Sequence, residues 1–206
     1  YLYTLNTGYH RLKSTCKTTY QSSDSIVEKS VFAYDTERPY NIISKSSLCS
    51  GGAEQVERTY YSNNTIPDKE SLTTSQRSAI QLLTSRNYLT TPVQQTMEKK
   101  DKRLYSVLRG YSSSLSSGMV VEDQYYCKGT DKYEKRISYN KYDIYGNPVY
   151  INKDGAEKVV YLWGYKGQYL LAEIKGATYE EVKKALMVDP ASMSSCILPS
   201  MPLYLD

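Results

Sequence analysis

The chain has 206 residues, with 26 basic against 22 acidic side chains and a formal net charge of +4, a length that allows one large domain or two small ones. So small and evenly scattered a charge does not read as a nucleic-acid footprint, and no apolar run approaches the ~20 residues a membrane helix needs. No basic-then-apolar run opens the sequence; it begins on Tyr1 rather than Met, and we expect a piece of something longer. Tyrosine is the anomaly, with 23 residues against one Phe and one Trp. Tyr favours pleated, half-buried surfaces where the ring packs and the hydroxyl stays wet, which points to open antiparallel sheet.

In chain order, the first elements read as strands. Residues 11–20 alternate Leu12, Ser14, Cys16, Thr18 and Tyr20 against Lys13, Thr15, Lys17 and Thr19, a period-2 pattern with one wetter face. Strands follow at 26–35, 40–49 and 54–61, joined by connections too short to cross over, so they form an antiparallel meander. At 66–88 the pattern changes to a helical insertion. Thr73 and Gln76 form a capping box, Leu72, Ala79, Ile80 and Leu83 make one stripe, and Asn87 is a left-handed stop, so a helix is predicted over 74–86. Strands resume at 91–99 and 103–112, with 99–102 as a solvated hairpin tip and the serine-rich 112–118 as a loop. Further strands are read at 119–128, 132–143, 158–165 and 169–174. Thr178 and Glu181 form a second capping box that opens a helix over 179–187. We expect residues 1–190 to form one mainly β domain and the proline-bearing 191–206 to be an irregular tail.

Residues 141–151, KYDIYGNPVYI, carry a hairpin signal. Tyr142 ends a strand, Asp143 can accept the amides just ahead of it, Gly146-Asn147 tolerates a positive backbone dihedral, and Pro148 suits the first position of an outgoing strand. The stretch resembles the YD repeat, Tyr-Asp-x-x-Gly-Asn/Arg-x, of the bacterial RHS and YD-repeat family. Residues 34–42 resemble a worn copy that keeps Tyr34, Asp35 and Pro39 but lacks the glycine, and residues 161–186 resemble a stretch that follows such repeats in large bacterial surface proteins. The resemblance implies hairpins wound into a long antiparallel sheet, a cell-surface or secreted setting, and a structural role in a shell or stalk. Its implied partners are neighbouring repeats of the parent chain and other surface proteins or glycans. Some family members cut themselves near an Asp-Pro-x-Gly element; here Ala191-Ser192 follow Asp189-Pro190, so self-cleavage is not carried over.

His10 is the only imidazole and sits at a strand start. Neighbouring strand residues point to opposite faces, so Glu122-Asp123 reads as a poor catalytic pair, and Glu180-Glu181 suits the first turn of a helix. Cys16, Cys49, Cys127 and Cys196 lack metal-ligand spacing and are expected to be free thiols. The expectation is therefore a protein with no catalytic, cofactor or metal residues. The rival reading is a carbohydrate-binding module that uses exposed tyrosines, with Tyr161, Trp163 and Tyr165 as its contact surface. All three are expected to share a sheet face with Val159, under the helix at 74–86 or the one at 179–187.

Overall fold

The computed structural model describes residues 10–21, 24–48, 52–115 and 118–195. Eleven strands lie side by side in the order in which they occur in the chain, every neighbouring pair antiparallel: β1 (Ser14–Gln21), β2 (Asp24–Tyr34), β3 (Ile42–Leu48), β4 (Glu54–Tyr61), β5 (Pro92–Lys99), β6 (Lys102–Leu115), β7 (Gly118–Lys128), β8 (Glu134–Tyr142), β9 (Pro148–Lys153), β10 (Glu157–Gly164) and β11 (Tyr169–Lys175). Short connections leave a hairpin as the only sterically easy path, so sequence neighbours become sheet neighbours. Helix α1 (Thr74–Ser85) lies in the long connection between β4 and β5, and α2 (Tyr179–Leu186) follows β11. Both open with complete capping boxes, Thr73 with Gln76 and Thr178 with Glu181.

The register assigns side chains to faces. Ala33, Ser44, Arg58, Thr96, Ser106 and Cys127 are partners across consecutive strands. On the same face, Gly110, Asp123, Ser138, Asn152 and Lys158 continue the row toward β10. Helix α1 buries Ala79, Ile80 and Leu83 in a cluster with Leu108 and Tyr125 of this face. Helix α2 packs Val182 against Val160 and Leu162 of the same face, with Met193 of a short 3-10 turn (Met193–Ser195) beside them. The face that α2 covers is therefore that of Val160 and Leu162, not the predicted one of Val159, Tyr161, Trp163 and Tyr165. A two-residue period means that neighbours on one strand cannot both lie under one helix, and the aliphatic set is the one that α2 takes.

A second difference concerns 112–118. The serine-rich stretch does not form a loop of that length, because β6 continues to Leu115 and β7 begins at Gly118, and the two strands pair across an irregularity between Ser112 and Leu115. Serine accepts extended backbone, and a ladder already running between two strands overrides local composition. At 100–101 the predicted hairpin tip has positive φ at both Lys100 (50°) and Asp101 (58°), the handedness that matches strand twist. The expectations for the first nine residues and for the tail beyond 195 lie outside the described residues, as do Cys49 and Cys196. Cys16 is a free thiol exposed on β1, and Cys127 is a free thiol buried on β7.

Candidate functional site

The Tyr-Asp turn joins β8 to β9. Tyr142 is the last residue of one strand and Pro148 the first of the next, where the missing amide of proline interrupts no ladder. Asp143 is buried, and its Oδ1 accepts from the N–H groups of Tyr145 (2.9 Å) and Asn147 (2.8 Å). The Asp143 N–H donates in turn to the carbonyl of Asn147 (3.0 Å). Gly146 has φ +85°, and a Cβ there would meet nothing within 4 Å. Backbone handedness rather than space requires glycine there. Asn147 Nδ2 donates both to Asp143 Oδ2 (3.1 Å) and to the carbonyl of Gly167 (2.9 Å), which ties this turn to the next one along the same end of the sheet.

The upstream turn is built alike. The Asp35 N–H donates to the carbonyl of Asn41 (3.0 Å), and Asp35 Oδ1 accepts from the N–H groups of Glu37 (2.8 Å) and Arg38 (2.9 Å). Those amides, Arg38 foremost, hold the Asp35 carboxyl below its ordinary value. The buried Asn41 donates through Nδ2 to the carbonyl of Leu89 (2.9 Å), as Asn147 does to Gly167. Asn41 is thus the structural counterpart of Asn147. It was not singled out in the sequence, although an asparagine just ahead of Ile42-Ile43 parallels Asn147 ahead of Pro148-Val149. Pro39 lies inside the turn, where its carbonyl accepts from Arg11 (3.4 Å).

The tyrosine of each turn belongs to a wider pattern that runs through the sheet. Tyr34 at the end of β2 donates its hydroxyl to the carbonyl of Leu12, just ahead of β1 (2.9 Å). Tyr61 at the end of β4 donates to Ile42, which begins β3 (3.0 Å). Tyr111 of β6 donates to Pro92, which begins β5 (2.8 Å). Tyr142 donates to Val121 near the start of β7. Trp163 of β10 donates its indole N–H to Pro148, which begins β9 (2.8 Å). Every even-numbered strand thus closes its hairpin with an aromatic donor on a carbonyl near the start of the preceding strand. By register all five rings lie on the face opposite the helices. Burial raises the hydroxyl pKa of Tyr142, and pushes that of Tyr111 up to about 12. Tyr139 stacks on Tyr142 at 6.1 Å, and its partner Ile151 and, beyond it, Val159 are buried on this helix-free face.

The helix face is held by polar pins. Gln76 is buried; its Nε2 donates to Glu122 (3.1 Å) and Asp123 (3.0 Å), while its Oε1 accepts from the Thr73 N–H and the Tyr125 hydroxyl (3.2 Å each). Asp123 also accepts from Ser138 (2.9 Å) and pairs with Lys135 (2.9 Å). The reading that Glu122 and Asp123 diverge is corrected here. Register shifts between Gly110 and Tyr111, a β-bulge that leaves Glu122 unpaired and brings both carboxylates to one amide nitrogen. Gly110 makes room, since a Cβ there would overlap the Gln76 carboxamide. A second pin is Asp68, in the connection ahead of α1, which meets Arg103 (2.7 Å) and Tyr133 (2.9 Å); Tyr133 also bonds Ser106 (2.6 Å). Burial drives the Tyr133 hydroxyl pKa well above its usual value.

The predicted aromatic contact surface divides. Tyr161 and Trp163 are half-buried on the latch face, and the Trp163 N–H is already engaged. Tyr165 belongs to the turn after β10, with φ 53°, and is half exposed with its ring edge-on to Tyr169 at 5.6 Å. Asp189, ahead of Pro190, accepts from the Tyr179 hydroxyl and from Lys183 (2.9 Å) and so ties α2 to the segment that follows it. No family model and no curated protein matches the sequence. Among the described residues no cluster of His, Cys, Asp and Glu is arranged to hold a metal ion, and no helix is long and apolar enough to cross a membrane.

Proposed function

We propose that this chain is a structural and interaction segment of a large bacterial YD-repeat protein of the cell surface, extending a sheet-built shell or stalk. The observation that carries the reading is the repetition of one closing device, the aromatic donor on the preceding strand's first carbonyls, in five successive hairpins. A unit that closes itself the same way each time can be added without redesign, because each hairpin needs only its neighbour's edge. The Tyr-Asp turns at 34–41 and 142–148 supply a second link, an asparagine amide that reaches the following turn. Neighbouring repeats of the parent chain are then the principal partners.

The carbohydrate-binding reading has less support, since the Trp163 N–H is engaged inside the protein and its ring is half-buried. The direct test of the proposal is antibody labelling of intact cells that produce the parent protein, with sera raised against this chain. Labelling without lysis is the expected result. Signal only after lysis would overturn the surface assignment.

A further inference from the structure

The sheet ends on an odd-numbered strand. β11 pairs with β10 on one side and, among the described residues, with no strand on the other. Each earlier odd strand has a carbonyl at or near its start that accepts from the aromatic of the following even strand. β11 has such a start, at Gln168 to Leu170, but no described strand follows it in the sheet.

The two outer strands also differ in chemistry. β1 reads STCKTTYQ, polar throughout with Lys17 at its centre, the kind of charge that discourages pairing. β11 reads YLLAEIK, with Tyr169 61%, Leu170 47% and Leu171 39% exposed and its charges confined to the last three residues. An edge with apolar side chains, no proline and no central charge is a template for another strand.

We propose that the outer edge of β11 is a strand-addition site, and that its occupant is an antiparallel strand of a neighbouring hairpin of this same pattern, bearing a tyrosine or tryptophan near its C-terminal end. The ring donor reaches a main-chain carbonyl at Gln168 to Leu170, from the face without helices, as the five internal donors do. This rests on the reading of the chain as a sheet segment, but not on where that sheet resides.

The probe is a synthetic peptide with the β8 sequence, residues 134–142, titrated into the isotopically labelled full chain and followed by amide shifts and hydrogen exchange. Shifts and slowed exchange confined to 169–175 are expected, with affinity falling about fivefold when the peptide carries Tyr142→Phe, the loss of one hydrogen bond. Leu170→Lys in the chain is expected to abolish binding while the far-ultraviolet spectrum is unchanged. No binding up to roughly millimolar peptide, binding elsewhere on the chain, or indifference to Tyr142→Phe would overturn the proposal. So would β11-mediated dimers of the chain that the peptide does not disperse, since the occupant would then be a second copy. Peptide binding at β11 without surface labelling of cells would defeat the location and leave the edge site standing; the reverse result would defeat the edge alone.

Discussion

The two faces of this sheet are held by different physics. The helix face buries aliphatic clusters under α1 and α2 and fixes α1 with fully engaged polar groups, Gln76 among Glu122, Asp123, Tyr125 and Thr73. The latch face carries no helix; its rings cover it, and each hairpin there is closed by one donor on one carbonyl. A buried pin that engages every polar atom is costly to disturb, because all of its partners are orphaned together. A repeated single bond is cheap to lose once, and it matters through its number.

The largest expected effect tests the pin. In Gly110→Ala the new methyl overlaps the Gln76 carboxamide, and displacing it should cost roughly 3 kcal/mol through overpacking and unpaired carboxylates. Urea unfolding measures this. In a double-mutant cycle, Gln76→Ala should recover part of the loss. If the two changes are additive, α1 is not pinned through Gln76.

Next is the turn between the faces. Gly146 sits at φ +85° with open space around it, so Gly146→Val should lower stability by about 2 kcal/mol through backbone strain alone, and Gly146→Asn by much less. Equal melting points for the two variants would contradict a purely conformational cause.

A single latch is worth less. Tyr142→Phe should cost about 1 kcal/mol, and Tyr34→Phe less, because the Tyr34 contact is exposed. The latches also impose a sign on alkaline stability. The Tyr111 hydroxyl is raised from 10.0 to about 12 by burial, so the folded state holds its proton more tightly than the unfolded chain. That stability is fully present below pH 10 and is lost as pH rises toward 12. Tyrosinate absorbance followed alongside circular dichroism should show ionisation of the last tyrosines coinciding with unfolding; ionisation of Tyr111 at ordinary pH in a folded chain would refute the burial.

The smallest effect is at α2. Asp189 is lowered from 3.8 to about 2, chiefly by the Tyr179 hydroxyl and then by Lys183. A depressed carboxylate contributes above its unfolded value, so this contribution is present above pH 3.8 and fades as pH falls toward 2. Hydrogen exchange in α2 should accelerate over that window in the unaltered chain and show no such step in Asp189→Asn.

Much of this fold was legible because it is local. Period-2 alternation, short connections and two capping boxes specify strands, antiparallel neighbours and helix starts within a few residues of one another. The same holds for Tyr142, Asp143, Gly146 and Pro148, whose partners are mostly within the turn itself. Asn41 escaped notice because its partner Leu89 lies beyond the α1 insertion. The convergence of Glu122 and Asp123 was misread because a bulge is a register event between two strands, invisible in either alone. The face that α2 covers and the register that places all five ring donors opposite the helices were likewise decided only by tertiary structure. By itself the sequence determined the elements, their order and their antiparallel sense, which depend on chain-local geometry. Which side chains meet depends on pairing register and on bulges, and those are settled only when separate strands compete for the same partners.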